Sequence, residues 1–267
     1  MIDTEYKDIK YTSVGSGTAI LFIHGMFLDK TATQDFFEDN SNLSQFRRIY
    51  IDLPGMGNSI PLIEVSSDAI LKMLISFIDH IIGSNQFIIY GHSYGGYLAQ
   101  AIAHHYQNQV IGVLITCPVV IANKDKRILE EHKNEFINKP QPEKNDEFLQ
   151  DFTEMNVIIN QTSWLAYQKL ILPGLKKANV AFINRLEGER YTLSSERKLT
   201  EMGNDTHVYV LLGHHDHVVG YKQQFELFST NEKSTIALIA HAGHNLMIDQ
   251  PEIVHFYLNQ LIKNTVR

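Results

Sequence analysis

Six short apolar runs dominate the chain: 19–23 (AILFI), 48–52 (RIYID), 86–90 (QFIIY), 110–116 (VIGVLIT), 207–212 (HVYVLL) and 235–240 (TIALIA). None shows the regular polar alternation of a strand with one wet face. Such strands are covered on both sides, as in a parallel sheet between helices. Helical periodicity fills the gaps. Within 67–82, Ile70, Leu71, Leu74, Ile75, Ile78 and Ile82 fall on one stripe, Ser66 or Ser67 can cap its start, and Gly83 can end it. Residues 94–106 and 252–263 also read as helices. Strand followed by helix, repeated, predicts an α/β fold with a doubly wound, mostly parallel sheet.

The rhythm stops between about 121 and 200. Residues 124–138 (KDKRILEEHKNEFIN) read as a charged helix and 139–146 (KPQPEKND) as a polar break. Apolar-rich helices follow at 147–160, 162–172 and 174–187, and no strand is expected. This stretch is too long for an ordinary crossover. Residues 121–200 are therefore expected to form a helical cap inserted into a core made of 1–120 and 201–267. A chain of 267 residues suits one such capped domain.

Composition narrows the partners. Acidic residues number 30 and basic residues 23, a net charge of −7, which argues against binding chosen by phosphate electrostatics, nucleic acid above all. The lone Cys117 excludes an intramolecular disulfide framework and a cysteine-based zinc cluster, and fits a reducing compartment. The first residues, MIDTEYKDIKYTS, lack a basic start followed by an apolar stretch, and the apolar runs are far shorter than the ~18 residues of a membrane helix. The expectation is a cytoplasmic monomer or homodimer acting on a small molecule, without a membrane or nucleic-acid partner.

The chemistry starts at GHSYGG (91–96), a G-x-S-x-G sequence between the strand 86–90 and the helix 94–106. A serine on that sharp turn stands above the sheet edge, and the helix aims its first amides at the same point. Ser93 is thus the candidate nucleophile. A serine hydroxyl needs a base. Among thirteen histidines the best placed is His244, after the last apolar strand, with His241 the nearest competitor. His92 lies inside the turn with its side chain expected to point away, and His104 and His105 are about three turns down the helix. The acid that orients the imidazole is expected to be Asp216, in LLGHHDHVVG (211–220) directly after a strand, with Asp125 as rival. The order Ser93, Asp216, His244 is the hydrolase order. Adjacent side chains of the HHDH run diverge, so no metal is expected there. The oxyanion donors should be the amides of Tyr94, next to the nucleophile, and Met26, in the loop after the first apolar strand.

IHGMFLD (23–29), DLPGMGNS (52–59), YGHSYGG (90–96), LLGHHDHVV and AGHNLMIDQPE occur in one order with sensible spacing. Together they resemble the α/β-hydrolase fold family, in its small cap-bearing branch, over the whole chain except the cap. The resemblance implies Ser93 as nucleophile, His244 as base, Asp216 as acid and Met26 and Tyr94 as oxyanion donors, with no cofactor. Two departures bear on the activity. Met26 and Phe27 follow His24-Gly25, where HGGG lipases carry glycines. Serine at the elbow separates the chain from dehalogenases and epoxide hydrolases, which use aspartate.

The reading is a serine hydrolase that cleaves a small, partly apolar carboxylic ester through an acyl-serine. A carbon–carbon bond hydrolase, a lyase or acyltransferase on the same triad, and a low-turnover ligand-binding protein remain open. Pocket walls are expected from His24, Phe27, Phe152, Met155 and Trp164. For each cap aromatic the alternative is the cap's own small core.

Overall fold

The computed structural model describes residues 4–138, 140, 147–203 and 205–265. Among the described residues there are ten strands: β1 (Thr4–Tyr6), β2 (Ile9–Val14), β3 (Ala19–Ile23), β4 (Arg47–Ile51), β5 (Phe87–His92), β6 (Val110–Thr116), β7 (Glu135–Phe136), β8 (Ile158–Ile159), β9 (His207–Gly213) and β10 (Ser234–Ile239). Eight form one sheet in the order β1-β2-β4-β3-β5-β6-β9-β10, and six of these, from β4 to β10, run parallel. β3 and β5 are buried at every position, so both faces of the sheet centre are covered.

Helices α1 (Lys30–Phe37), α2 (Ser67–Ile81) and α3 (Tyr94–His105) follow β3, β4 and β5. The Ser66 hydroxyl accepts the Ala69 N–H and caps α2, and Gly83 takes a left-handed turn (φ +67°) just beyond the helix end. α8 (Lys222–Ser229) packs on β10, and a short α9 (Leu246–Asp249) leads into α10 (Pro251–Thr265), which lies on β6 and β9. Phe36 of α1 stacks on His255 of α10, while α2 and α3 pack on one another. No helix among the described residues is long and apolar enough to cross a membrane.

The antiparallel strands β1 and β2 were not expected from sequence. Their residues TEY and IKYTSV mix exposed and buried positions at the sheet edge, where only one face needs covering.

Between β6 and β9 lies the segment expected from sequence to be a cap, called the cap below. It holds α4 (Leu149–Met155), α5 (Gln161–Leu170), α6 (Leu172–Lys177) and α7 (Val180–Arg185), in the three stretches read as helical. The charged helix expected over 124–138 does not form. That stretch has one 3-10 turn, Lys124–Lys126, then extended chain ending in β7, which pairs with β8 in parallel, so a segment expected to hold no strand carries two short ones, and β8 ends the stretch read as helical over 147–160. Its backbone and side chains bond outward instead. Arg127 donates to the carbonyls of Ile121 and Val218, and the Ile128 N–H donates to Gln223. Apart from Pro140, the polar break at 139–146 lies outside the described residues.

Trp164 stacks on Tyr167 at 5.6 Å between centroids, and Phe152 meets both rings edge-on. All three are buried and continuous with the main hydrophobic core, and α5, which carries Trp164 and Tyr167, packs on α1 and α9. The cap rests on the core at Gly55, whose carbonyl accepts the Asn179 N–H and which lies directly against the Phe182 ring. Lys177 pairs with the buried Asp29 at 2.9 Å.

Candidate active site

Ser93 sits where β5, near the sheet centre, turns into α3. Its backbone is at φ +52°, ψ −116°, a region that a side chain occupies only under local constraint. The constraint is backbone packing. A Cβ on Gly95 would lie 2.3 Å from the Ile23 carbonyl oxygen, and one on Gly91 would lie 2.5 Å from that of Gly95. Only glycine permits this approach.

The loops after β9 and β10 converge on the same point. Ser93 Oγ is 2.9 Å from His244 Nε2, and His244 Nδ1 is 2.9 Å from Asp216 Oδ2. The other oxygen, Asp216 Oδ1, accepts the N–H groups of Val218 and Val219, both at 2.9 Å. The Asp216 side chain is fully buried. Burial works to raise its pKa, but the His244 imidazole and the two amides outweigh burial and hold the carboxyl below its ordinary value. An ionised carboxylate only accepts hydrogen bonds, so His244 carries its proton on Nδ1 and offers the Nε2 lone pair to the Ser93 hydroxyl.

The loop after β3 closes on Ser93 from the other side. A Cβ on Gly25 would come within 3.2 Å of that of Ser93, which puts the Gly25–Met26 segment beside the hydroxyl. Phe27 takes a left-handed conformation (φ +64°), and the Leu28 N–H donates to the Gly25 carbonyl. Tyr94 is the first residue of α3, so its amide has no intrahelical acceptor one turn back. The Tyr94 side chain turns into the core, its hydroxyl 2.9 Å from that of Ser67.

A cavity of about 310 Å³ opens above Ser93 between core and cap. Met26, Phe27 and Met155 line it, with Ser93 and His244 at its floor. Three residues expected in its walls are elsewhere. His24 is completely buried beneath the loop, where Nδ1–H donates to the Gly25 carbonyl and Nε2 accepts the Leu53 N–H. It braces the segment that carries Met26. Phe152 and Trp164 are buried in an aromatic cluster with Tyr167, away from the cavity. The missed walls include aliphatic residues without a distinctive pattern, among them Val119, Leu175, Ile183, Leu186 and Val219, and the charged residues Lys124, Arg127, Asp151 and Glu187.

The competing histidines and acid separate clearly. His241 is exposed and pairs with Glu135 of β7. Asp125 is exposed in its 3-10 turn. His92 is not directed away as expected. It lines the cavity with its ring 5.1 Å from that of His244, and its Nδ1 lies 3.1 Å from Thr116 Oγ1. Burial, aided by His244, pushes its pKa down to about 3, so it stays neutral. The HHDH histidines diverge: His214 stacks on Tyr221, and His217 packs against His132 of the cap. Among the described residues, the cluster of His, Cys and carboxylate donors close enough to share an ion is Cys117, Asp216 and His244, and both His244 nitrogens are already hydrogen-bonded.

Residues 20–255 match the alpha/beta hydrolase family, and the chain belongs to it. A crystal structure of an alpha/beta superfamily hydrolase from Oenococcus oeni PSU-1 is 45% identical, covers 100% of both chains, and superposes with a TM-score of 0.96. A thermophilic esterase from Thermogutta terrifontis shares the fold at 19% identity and TM-score 0.65, over 97% of this chain and 94% of that one. A pimeloyl-[acyl-carrier protein] methyl ester esterase from Shewanella woodyi is 31% identical over 119 residues. That match spans 43% of this chain and 42% of the relative, well under two thirds of its length.

Proposed function

We propose that this protein is a serine hydrolase that cleaves small, partly apolar carboxylic esters, with Ser93 as nucleophile, His244 as base and Asp216 as the acid that orients it. The observation that carries the reading is the continuous hydrogen-bonded series Ser93, His244, Asp216 at the floor of a mostly apolar cavity. In the mechanism, His244 Nε2 takes the Ser93 proton as Oγ attacks the ester carbonyl carbon. The tetrahedral oxyanion is held by the Met26 and Tyr94 amides. The C–O bond then breaks, and the departing alkoxide takes the proton from Nε2. Water, giving a proton to the same imidazole, attacks the acyl carbonyl carbon; the bond to Oγ breaks, Oγ takes that proton back from Nε2, and the acid and free Ser93 are released.

A cavity of about 310 Å³ lies at the small end of ligand sites, which favours short acyl and alcohol groups. Esterases among the structural neighbours and the methyl ester esterase support ester cleavage over the other reactions open to such a triad. A panel of p-nitrophenyl and methyl esters of increasing acyl length tests the proposal. Turnover should peak at short to medium chains and vanish in Ser93→Ala. Failure of every ester, with Ser93 still reactive to a phosphonate, would favour a different bond or a ligand-binding role.

A further inference from the structure

We propose that Asp249 is a positioning residue whose carboxylate locks the His244 loop to the cap, so that docking of the cap and placement of the base are one event. This rests on the serine-hydrolase reading above. Asp249 ends α9, five residues past His244, and its side chain points back beneath the loop. Oδ2 accepts the Gly243 N–H at 2.8 Å. Oδ1 accepts the N–H groups of Val157 and Ile158, at the start of β8, at 3.0 and 2.9 Å. Among the described residues no cation pairs with this buried carboxylate, although burying a charge without a counterion is costly. Burial raises its pKa to about 6 against the pull of the three amides.

The surrounding contacts give the joint its direction. A Cβ on Gly243 would meet Val157 Cγ2 at 3.1 Å, so the cap strand lies directly on the residue before His244. The Val157 carbonyl accepts the Glu135 N–H, which extends the link to β7. On its other side the loop is tied to the Asp216 segment, where the Ala242 carbonyl accepts the His215 N–H. The Gly243–His244 backbone is therefore clamped between the acid loop and the cap. A base displaced by about 1 Å loses on the order of 10²-fold in rate.

Only a carboxylate can serve here. All three partners are donors, and the two oxygens accept from opposite directions. In Asp249→Asn the amide nitrogen must face either Gly243 or the β8 amides, donor against donor, with the shape unchanged.

The test compares wild type, Asp249→Asn, Val157→Pro and His241→Asn on one p-nitrophenyl ester, well below each melting temperature, with Ser93→Ala in parallel. Val157→Pro deletes one cap-side N–H while keeping the carbonyl that bonds β7. Asp249→Asn should lower kcat by 10- to 100-fold with KM changed less than 3-fold, and should slow phosphonylation of Ser93 by a similar factor. Val157→Pro should lower kcat by 3- to 10-fold, and His241→Asn, which breaks an exposed pair, by less than 2-fold. A folded Asp249→Asn with kcat within 2-fold of wild type and only a lower melting temperature would overturn the proposal. If that variant does not fold, Val157→Pro with unchanged kcat overturns it instead. Activity that survives in Ser93→Ala would contradict the serine-hydrolase reading, whatever Asp249 does.

Discussion

The elbow below the cavity and the cap above it are held together by different kinds of contact. At the elbow, backbone lies on backbone: glycine at positions 91 and 95 leaves the Ile23 and Gly95 carbonyls no spare room. Above it, side chain lies on side chain: Phe152, Trp164 and Tyr167 pack on one another, α5 lies on α1 and α9, α6 lies on α1, and Phe182 on Gly55 and Lys177 on Asp29 add further joints. The first arrangement cannot adapt without losing the geometry of Ser93. The second can change its lining side chains while its joints persist.

Breaking the core side should have the largest effect. Asp216→Asn removes the acceptor that fixes the His244 tautomer, and kcat should fall by roughly 10³- to 10⁴-fold with the fold intact. Exposed Asp125→Asn should change kcat by less than about 2-fold, as expected for a surface site. Steady-state kinetics on a single ester reads both. Next comes Gly95→Ala. Its Cβ has no route away from the Ile23 carbonyl, so urea unfolding should show a loss of about 4 kcal/mol or more, or no folded protein.

The cap side should give a smaller and differently shaped response. Trp164→Ala empties the aromatic cluster at a cost of about 3–5 kcal/mol. Most of that should appear as local opening. Hydrogen exchange should speed up across α4 and α5 while β5 amides stay protected. KM for longer acyl chains should rise, and kcat on an acetyl ester should stay within a few-fold. Equal loss of protection in β5 would mean that cap and core form one cooperative unit.

The joint between them supplies a pH signature. The Asp249 pKa is raised by burial to about 6, above the ~3.9 of an exposed aspartate. The folded state therefore binds this proton more tightly than the unfolded state. Its favourable contribution is complete below about pH 4 and is lost as pH rises through about 6. Denaturant midpoints should show wild type losing stability relative to Asp249→Asn across that window. A flat difference would mean that the carboxylate is better solvated than its burial indicates. An ionised Asp249 that weakens the fold while fixing the base is a case of stability given up for function.

The same contrast explains what could be read from sequence. β3, β5, β6 and β9 were legible because burial on both faces leaves continuous apolar runs. β1 and β2 carry no such run, since an antiparallel edge needs only one dry face. Residues 124–138 have a helix-like composition, yet Arg127 and Ile128 spend their hydrogen bonds on the Val218 and Gln223 regions. Tertiary contacts of that kind leave no periodic trace. Ser93, His244 and Asp216 were legible because each follows a strand at its carboxyl end. The cavity walls were not. A buried aromatic such as Trp164 reads the same whether it faces a substrate or Phe152. The short aliphatics that line the cavity are indistinguishable from core. The Asp249 clamp was hidden because its cap partners are backbone amides 91 and 92 residues away, far beyond any local pattern.

The claim that Ser93 is the nucleophile can be tested without knowing the substrate. Wild type and Ser93→Ala are incubated with a small fluorophosphonate, and intact mass and peptide mapping are recorded. The account predicts one phosphonyl adduct in wild type, mapped to Ser93, and none in Ser93→Ala. Equal labelling of both proteins, or an adduct mapped elsewhere in wild type, would contradict it.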